Sequence, residues 1–237
     1  MQMKAYLAIL GVSIAGSVVL AACGGGGEQP SVPPLNPGDF QATVDHPLFP
    51  LPSLGLKVFE GEERDAQTGD MTTTRVESRV LTGTASVAAI EVTVVQEQEY
   101  EDGELVESTL DYYAQHRDGT VYYFGERVDD YEGGTVVGHG GQWLAGEGQN
   151  QPGVFMPAES PVGAEFQQEK APGVAEDQSK VVAVGQTVST PAGSFTGCIK
   201  TEDFDPLGKV TKFKFYCPGV GLVREEFPGG RLDLISY

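Results

Sequence analysis

The side chains best able to do chemistry in this chain are its histidines, cysteines and paired acids. His46, His116 and His139 are the histidines, and no two stand at the spacing of a metal-ligand pair. They read as structural or solvent-facing imidazoles, so no metal is expected. The G-x-S-x-G nucleophile motif is missing, and no glycine-rich loop precedes a helical stretch to cradle phosphate. The pairs Glu62-Glu63, Asp129-Asp130 and Glu225-Glu226 are chain neighbours, which point to opposite faces of a strand. Asp203 and Asp205 share a face beside a turn, but no calcium-loop ligand set accompanies them. No catalytic residue and no cofactor site emerge, and the chain is expected not to be an enzyme.

The three cysteines divide by position. If Leu207-Gly208 is a two-residue loop, Cys198 lies opposite Cys217 and Asp203 lies opposite Lys212. A disulfide is expected there, closing a loop of about 20 residues for roughly 3 kcal/mol on the chain-entropy estimate. Its role is structural, since neither cysteine belongs to a C-x-x-C motif.

Cys23 has a different setting. Lys4 supplies a positive start, and Ala5 to Val19 is apolar and small-residue rich, with the length of a secretory core rather than a membrane span. It ends in Leu20-Ala21-Ala22-Cys23, which resembles the lipobox of bacterial lipoproteins. The resemblance implies cleavage before Cys23, thioether lipidation of Cys23 and acylation, palmitate-like, of the new amino terminus. Several acyl chains at about 0.8 kcal/mol per buried CH₂ make a lasting membrane anchor. Residues 1–22 are thus a signal peptide. Residues 23–38 are the lipidated cysteine and a Gly/Pro-rich tether, in which Gly24 to Gly27 bend freely and Pro30, Pro33 and Pro34 stiffen the chain. Residues 39–237 form the folded domain. Gly24 stands where an inner-membrane retention signal would place aspartate, so a Gram-negative host would carry the protein on its outer membrane, facing the periplasm.

Composition narrows the partners. Removing residues 1–22, which hold one of 15 basic residues and none of 34 acidic ones, moves the formal charge from −19 to −20. Such a field repels nucleic acid and anionic headgroups. It reads first as a solubility surface. The remaining ~200 residues suit one all-β domain, because glycines are plentiful at 32 and helix-favouring runs are scarce.

The organising stretch runs from Ile90 to Leu144. It reads as four strands joined at Glu101-Asp102-Gly103, Arg117-Asp118-Gly119 and Glu132-Gly133-Gly134. Two-residue loops at Asp118-Gly119 and Gly133-Gly134 would set Tyr113 against Phe124 and Phe124 against Trp143, one aromatic row across three strands, with Tyr122 extending the face. Before it, Phe40 to Gly55 reads as an irregular lead-in. Leu56 to Arg64 and Met71 to Leu81 read as a hairpin, and Ser86 to Tyr100 as a longer strand. After it, Gly146 to Pro161 reads as a loop carrying the apolar cluster Val154-Phe155-Met156, packed over one end or functional. Strands follow at Glu165 to Glu169, Lys180 to Ser189, Ser194 to Phe204, Val210 to Cys217, Gly221 to Phe227 and Leu232 to Tyr237. The expected architecture is all-β, a single antiparallel meander of about eleven strands, barrel or half-barrel.

In the second half, Pro152-Gly153-Val154-Phe155-Met156-Pro157-Ala158, Pro172-Gly173-Val174-Ala175-Glu176-Asp177, Thr190-Pro191-Ala192-Gly193-Ser194-Phe195 and Pro218-Gly219-Val220-Gly221-Leu222-Val223 resemble a family of uncharacterised secreted bacterial β-rich lipoproteins. The likeness spans about Tyr112 to Phe227. It implies an exported antiparallel β-domain and supplies no activity to carry over. The expected function is a cell-envelope lipoprotein with a non-enzymatic binding domain for a lipid or other hydrophobic ligand, lined by Tyr113, Tyr122, Phe124, Trp143, Phe155 and Met156. The alternative is a fully packed domain that meets another envelope protein through an acidic surface.

Overall fold

A computed structural model describes residues 35–51 and 55–237. The expected signal segment, Cys23 and the expected tether up to residue 34 lie outside the described residues. Three short strands, β1 (Phe40–Gln41), β2 (Asp45–His46) and β3 (Phe49–Pro50), form the lead-in. The central meander is β4 (Lys57–Arg64), β5 (Met71–Val87), β6 (Ile90–Glu101), β7 (Glu104–His116) and β8 (Val121–Glu132). Short segments β9 (Thr135–Gly138) and β10 (Trp143–Leu144) precede β11 (Gln151–Met156), β12 (Glu165–Gln167) and β13 (Glu169–Lys170). The closing meander is β14 (Gln178–Thr190), β15 (Gly193–Asp205), β16 (Val210–Cys217), β17 (Gly221–Phe227) and β18 (Gly230–Ser236). The class is all-β and antiparallel as expected, with eighteen strand segments among the described residues where about eleven were expected.

The sheet runs β12-β14-β15-β16-β17-β18-β4-β5-β6-β7-β8-β11-β13, so its two edge segments are consecutive in sequence. β12 pairs with β14 and β13 pairs with β11. The chain turns between them at Gln168, whose amide donates to the Asp177 carbonyl at 2.8 Å. One short segment thereby bridges both edges and nearly closes a barrel, leaving little edge for another chain to pair with. Gly153 makes this approach achievable, since a Cβ there would stand 1.8 Å from the Gln168 carbonyl oxygen. The expected loop at Val154-Phe155-Met156 is thus a barrel strand, because its apolar residues fill the gap beside β8.

Several turns follow their chemistry. Asp102-Gly103 and Gly133-Gly134 have positive φ throughout, the mirror-image geometry that matches strand twist. Ala88-Ala89 adopts the same geometry, at φ 50° and 63°, without glycine or asparagine to announce it. The strand expected over Ser86 to Tyr100 is therefore split between the end of β5 and the start of β6.

The β15–β16 pairing places Asp203 opposite Lys212, and Cys198 is bonded to Cys217. Its loop has four residues, Pro206 to Lys209, rather than two. Adding one residue on each side leaves the register unchanged.

Candidate functional site

Along each long strand the inward side chains pass from apolar to charged. On β6 they run Val95, Glu97, Glu99; on β7 Tyr113, Asp111, Thr109; on β16 Tyr216, Lys214, Lys212; on β17 Val223, then Glu225. Their burial and pairing fix this alternation. The barrel interior is thus half aromatic and half acidic.

The aromatic half is packed. Tyr113 stacks on Tyr123 with ring centroids 4.9 Å apart, and Phe155 meets Tyr113 at 5.0 Å. Trp143 stands edge-on to Tyr123 at 5.6 Å. Phe155 also reaches Tyr216 on a distant strand at 6.4 Å, so the contact crosses the barrel. Phe49 of the lead-in drops onto Phe155 at 4.5 Å and seals this end with Val44 and Leu51. His46 lies buried in the same seal, where burial lowers its pKa and its Nδ1 accepts from the Leu48 amide at 3.1 Å.

The expected row Tyr113–Phe124–Trp143 is corrected here. Tyr113 pairs with Tyr123, and Trp143 pairs with Glu126. The β7–β8 loop has three residues, closed by the Thr120 carbonyl accepting from the His116 amide. Gly125, at φ 106°, then bulges β8 and shifts its register. Tyr122 and Phe124 consequently face away from Tyr123, and Phe40 covers both at 5.5 and 5.7 Å. Of the six expected ligand-lining residues, Tyr113, Phe124, Trp143, Phe155 and Met156 belong to the core cluster with the missed Tyr123, and Tyr122 packs against it. All five are at most 2 % exposed.

The acidic half has the opposite character. Glu97, Asp111, Glu126, Glu169, Asp203 and Glu225 are all buried. Some are partnered. Asp111 accepts from Tyr123 Oη at 2.7 Å and Thr109 Oγ1 at 2.6 Å. Asp203 accepts from Ser179 Oγ at 2.7 Å and pairs with Lys214 at 3.3 Å. Glu225 pairs with Lys212 at 3.3 Å. Others are not: both carboxylate oxygens of Glu169, the Tyr216 and Tyr113 hydroxyls and Thr201 Oγ1 are buried without a hydrogen-bond partner.

Electrostatics follow from too many carboxyls and too few lysines in a low dielectric. Burial, then Asp111, pushes Glu97 up to about 8. Burial, then Asp130, raises Glu107 to about 8. Asp111 rises to about 6 through burial, although its two hydrogen bonds favour the charged form. Asp177 rises to about 7 through burial and Asp205. Glu126 and Glu169 stand well above the carboxylate range through burial, then Asp111 and Asp177 respectively. For Lys214 burial works against the charge, but Tyr216, Asp203 and Glu225 outweigh it and raise its pKa. Burial and mutual repulsion thus favour the protonated form of Glu97 and Glu107 at neutral pH. Among the described residues no three His, Cys, Asp or Glu side chains converge to hold a metal ion. His116 and His139 stand apart from these acids, beside Asp118 and Asp129.

Sequence reasoning missed these acids because alternating charge looks like a solvated face. The available signal was that the same register positions carried Tyr and Val further along each strand.

No family model matches the chain, and no curated protein does. The family likeness of 112–227 therefore stands on its motifs alone. A solved structure, a candidate lipoprotein from Parabacteroides distasonis, aligns with a TM-score of 0.36 and 14% identity, covering 78% of this chain and 96% of that one. At that TM-score the likeness assigns neither fold nor function.

Proposed function

We propose that this chain is a lipid-anchored protein of the cell envelope whose barrel is a non-enzymatic binding domain, taking its ligand at the acidic end. The carrying observation is Glu169, 1 % exposed with neither carboxylate oxygen partnered, set among further acids inside the barrel. A buried carboxylate left unpaired costs several kcal/mol unless it is protonated or meets a cation. That arrangement suits a ligand better than a scaffold. A hydrophobic ligand at the aromatic end would have to expel Phe49 and part the stacked rings.

The anchor rests on the lipobox-like Leu20 to Cys23. Cells fed labelled palmitate should incorporate it into the wild-type chain and leave Cys23→Ala unlabelled, with the variant leaving the membrane fraction. Equal labelling of both would remove the anchor from the proposal.

A further inference from the structure

The outer wall of the barrel carries an open cleft. It runs over β18, β4, β5 and β6 as two lobes of about 720 and 610 Å³ that share Glu60, Glu62 and Asp233, each within the size range of small-molecule sites. Its floor is one cross-strand row: Asp233 lies opposite Glu60, Glu60 opposite Arg75 and Arg75 opposite Tyr100. At about 4.8 Å between strands, that row is about 14 Å long. One wall is Pro191, at the tip of the β14–β15 hairpin. This hairpin lies against the sheet. The Ala192 amide donates to the Leu234 carbonyl at 3.2 Å, Arg224 Nη2 donates to the Ser189 carbonyl at 2.9 Å, and Phe195 meets Tyr237 at 6.0 Å. The wall is thus in place before a ligand arrives, which spares the cost of ordering it on binding.

The charges of this floor are already matched within the protein. Arg224 Nε meets Asp233 at 2.5 Å, and Arg231 Nε meets it at 3.1 Å. Arg75 binds Glu77 through Nε at 3.0 Å and Nη2 at 2.9 Å, and it binds Glu60 through Nη1. An ion entering the cleft would compete with these pairs for little gain, because exposed charges are screened. A neutral polyol needs no such exchange. Its hydroxyls can donate to the second oxygen of Glu60 and accept the outer N–H groups of Arg75, whose flat fork suits two neighbouring oxygens. Beside that fork stands Tyr100, half-buried on the same outer face and lining the cleft. The negative face of its ring can take the C–H face of a sugar. We infer that this cleft binds a neutral oligosaccharide, one sugar ring stacked on Tyr100 and its hydroxyls bonded to Arg75 and Glu60. The site is separate from the barrel interior, and it stands or falls apart from the reading of the acidic end.

The test is calorimetric titration of the full chain, in a detergent without a sugar headgroup, with cellotetraose, with chitotetraose and with tetralysine. At least one of the two sugars should bind saturably, and its binding should persist at high salt. Preference for chitotetraose assigns N-acetylated amino sugars as the ligand, and preference for cellotetraose assigns unmodified ones. Tyr100→Ala should weaken binding about tenfold or more while Tyr100→Phe retains it, because stacking needs the ring and not the hydroxyl. Arg75→Lys keeps the charge but loses the fork, and it should weaken binding by a similar factor. Glu132→Gln, exposed on another hairpin, and Glu169→Gln, in the interior, should leave it unchanged. Sugar binding that survives both Tyr100→Ala and Arg75→Lys lies elsewhere and overturns the inference. So does binding of tetralysine alone, lost at high salt, which would make the cleft a charged surface. Silence with both sugars, in a protein that melts cooperatively, would sink the inference whatever Glu169 is found to do.

Discussion

The two halves of the barrel interior are made by the same strands under the same alternation, and they satisfy opposite requirements. At one end Tyr113, Tyr123, Trp143, Phe155 and Tyr216 fill the space with one another, and the lead-in closes it. At the other end Glu169 lacks hydrogen-bond partners, and burial followed by neighbouring acids raises the pKa of Glu97, Glu126 and Asp177. Packed apolar side chains stabilise without needing a partner from outside. Buried acids in excess destabilise until something neutralises them. One end therefore holds the barrel together and the other is kept in tension, the pattern in which a fold gives up stability where it binds.

The largest effect that would break this contrast lies at the aromatic end. Phe155 touches Phe49, Tyr113, Tyr123 and Tyr216, and no water can replace it. Phe155→Ala should lower unfolding free energy by about 3–5 kcal/mol in urea. A loss below about 1 kcal/mol would show that the aromatic end is loose enough to be the ligand site, and the two halves would exchange roles.

Much of this division could be read in advance, and the failures have identifiable causes. The Cys198–Cys217 pairing and the Asp203–Lys212 pair held because lengthening the turn symmetrically preserves register. The Asp102-Gly103 and Gly133-Gly134 turns held because glycine at positive φ is cheap. Ala88-Ala89 gave no sign, since nothing in two alanines favours positive φ. The aromatic row slipped because the β7–β8 loop has three residues rather than two, which sets Tyr123 and not Phe124 against Tyr113, and period-two patterns amplify a single-residue error completely. The acidic end of the interior was hidden for a deeper reason. Which face of a meander points inward depends on closure, and closure here is a backbone contact between Gly153 and Gln168 that no local pattern encodes.

A second effect of intermediate size should come from pH. A carboxyl whose folded pKa is raised binds its proton more tightly folded than unfolded. The unfolded chain then holds fewer protons, and stability falls as pH rises between the ordinary and the raised value. For Glu97 and Glu107 that window runs from 4.5 to about 8, and for Asp177 from 3.8 to about 7. Lys57, lowered to about 7 by burial, acts in the opposite sense only above that value. Between pH 5 and 7 the ligand-free protein should lose at least about 2 kcal/mol. Flat or rising stability over that interval would mean the acids are neutralised by partners within the fold, and the contrast between the halves would soften.

The smallest effect sharpens the comparison most, because its sign differs from that of Phe155→Ala. Glu169 is buried without hydrogen bonds, and burial, Asp177, Asp111 and Asp205 all oppose its charge, against Lys214 alone. Glutamine keeps the shape and removes the ionisable proton. Glu169→Gln should therefore stabilise the ligand-free barrel by about 1 kcal/mol at pH 8, and by much less at pH 5, where the native carboxyl is already protonated. Thermal unfolding at the two pH values reads the difference directly. Destabilisation at pH 8 would place Glu169 in a satisfied structural network. Stabilisation at pH 8 that fades at pH 5 would show that this one carboxyl strains the barrel that the aromatic end holds together.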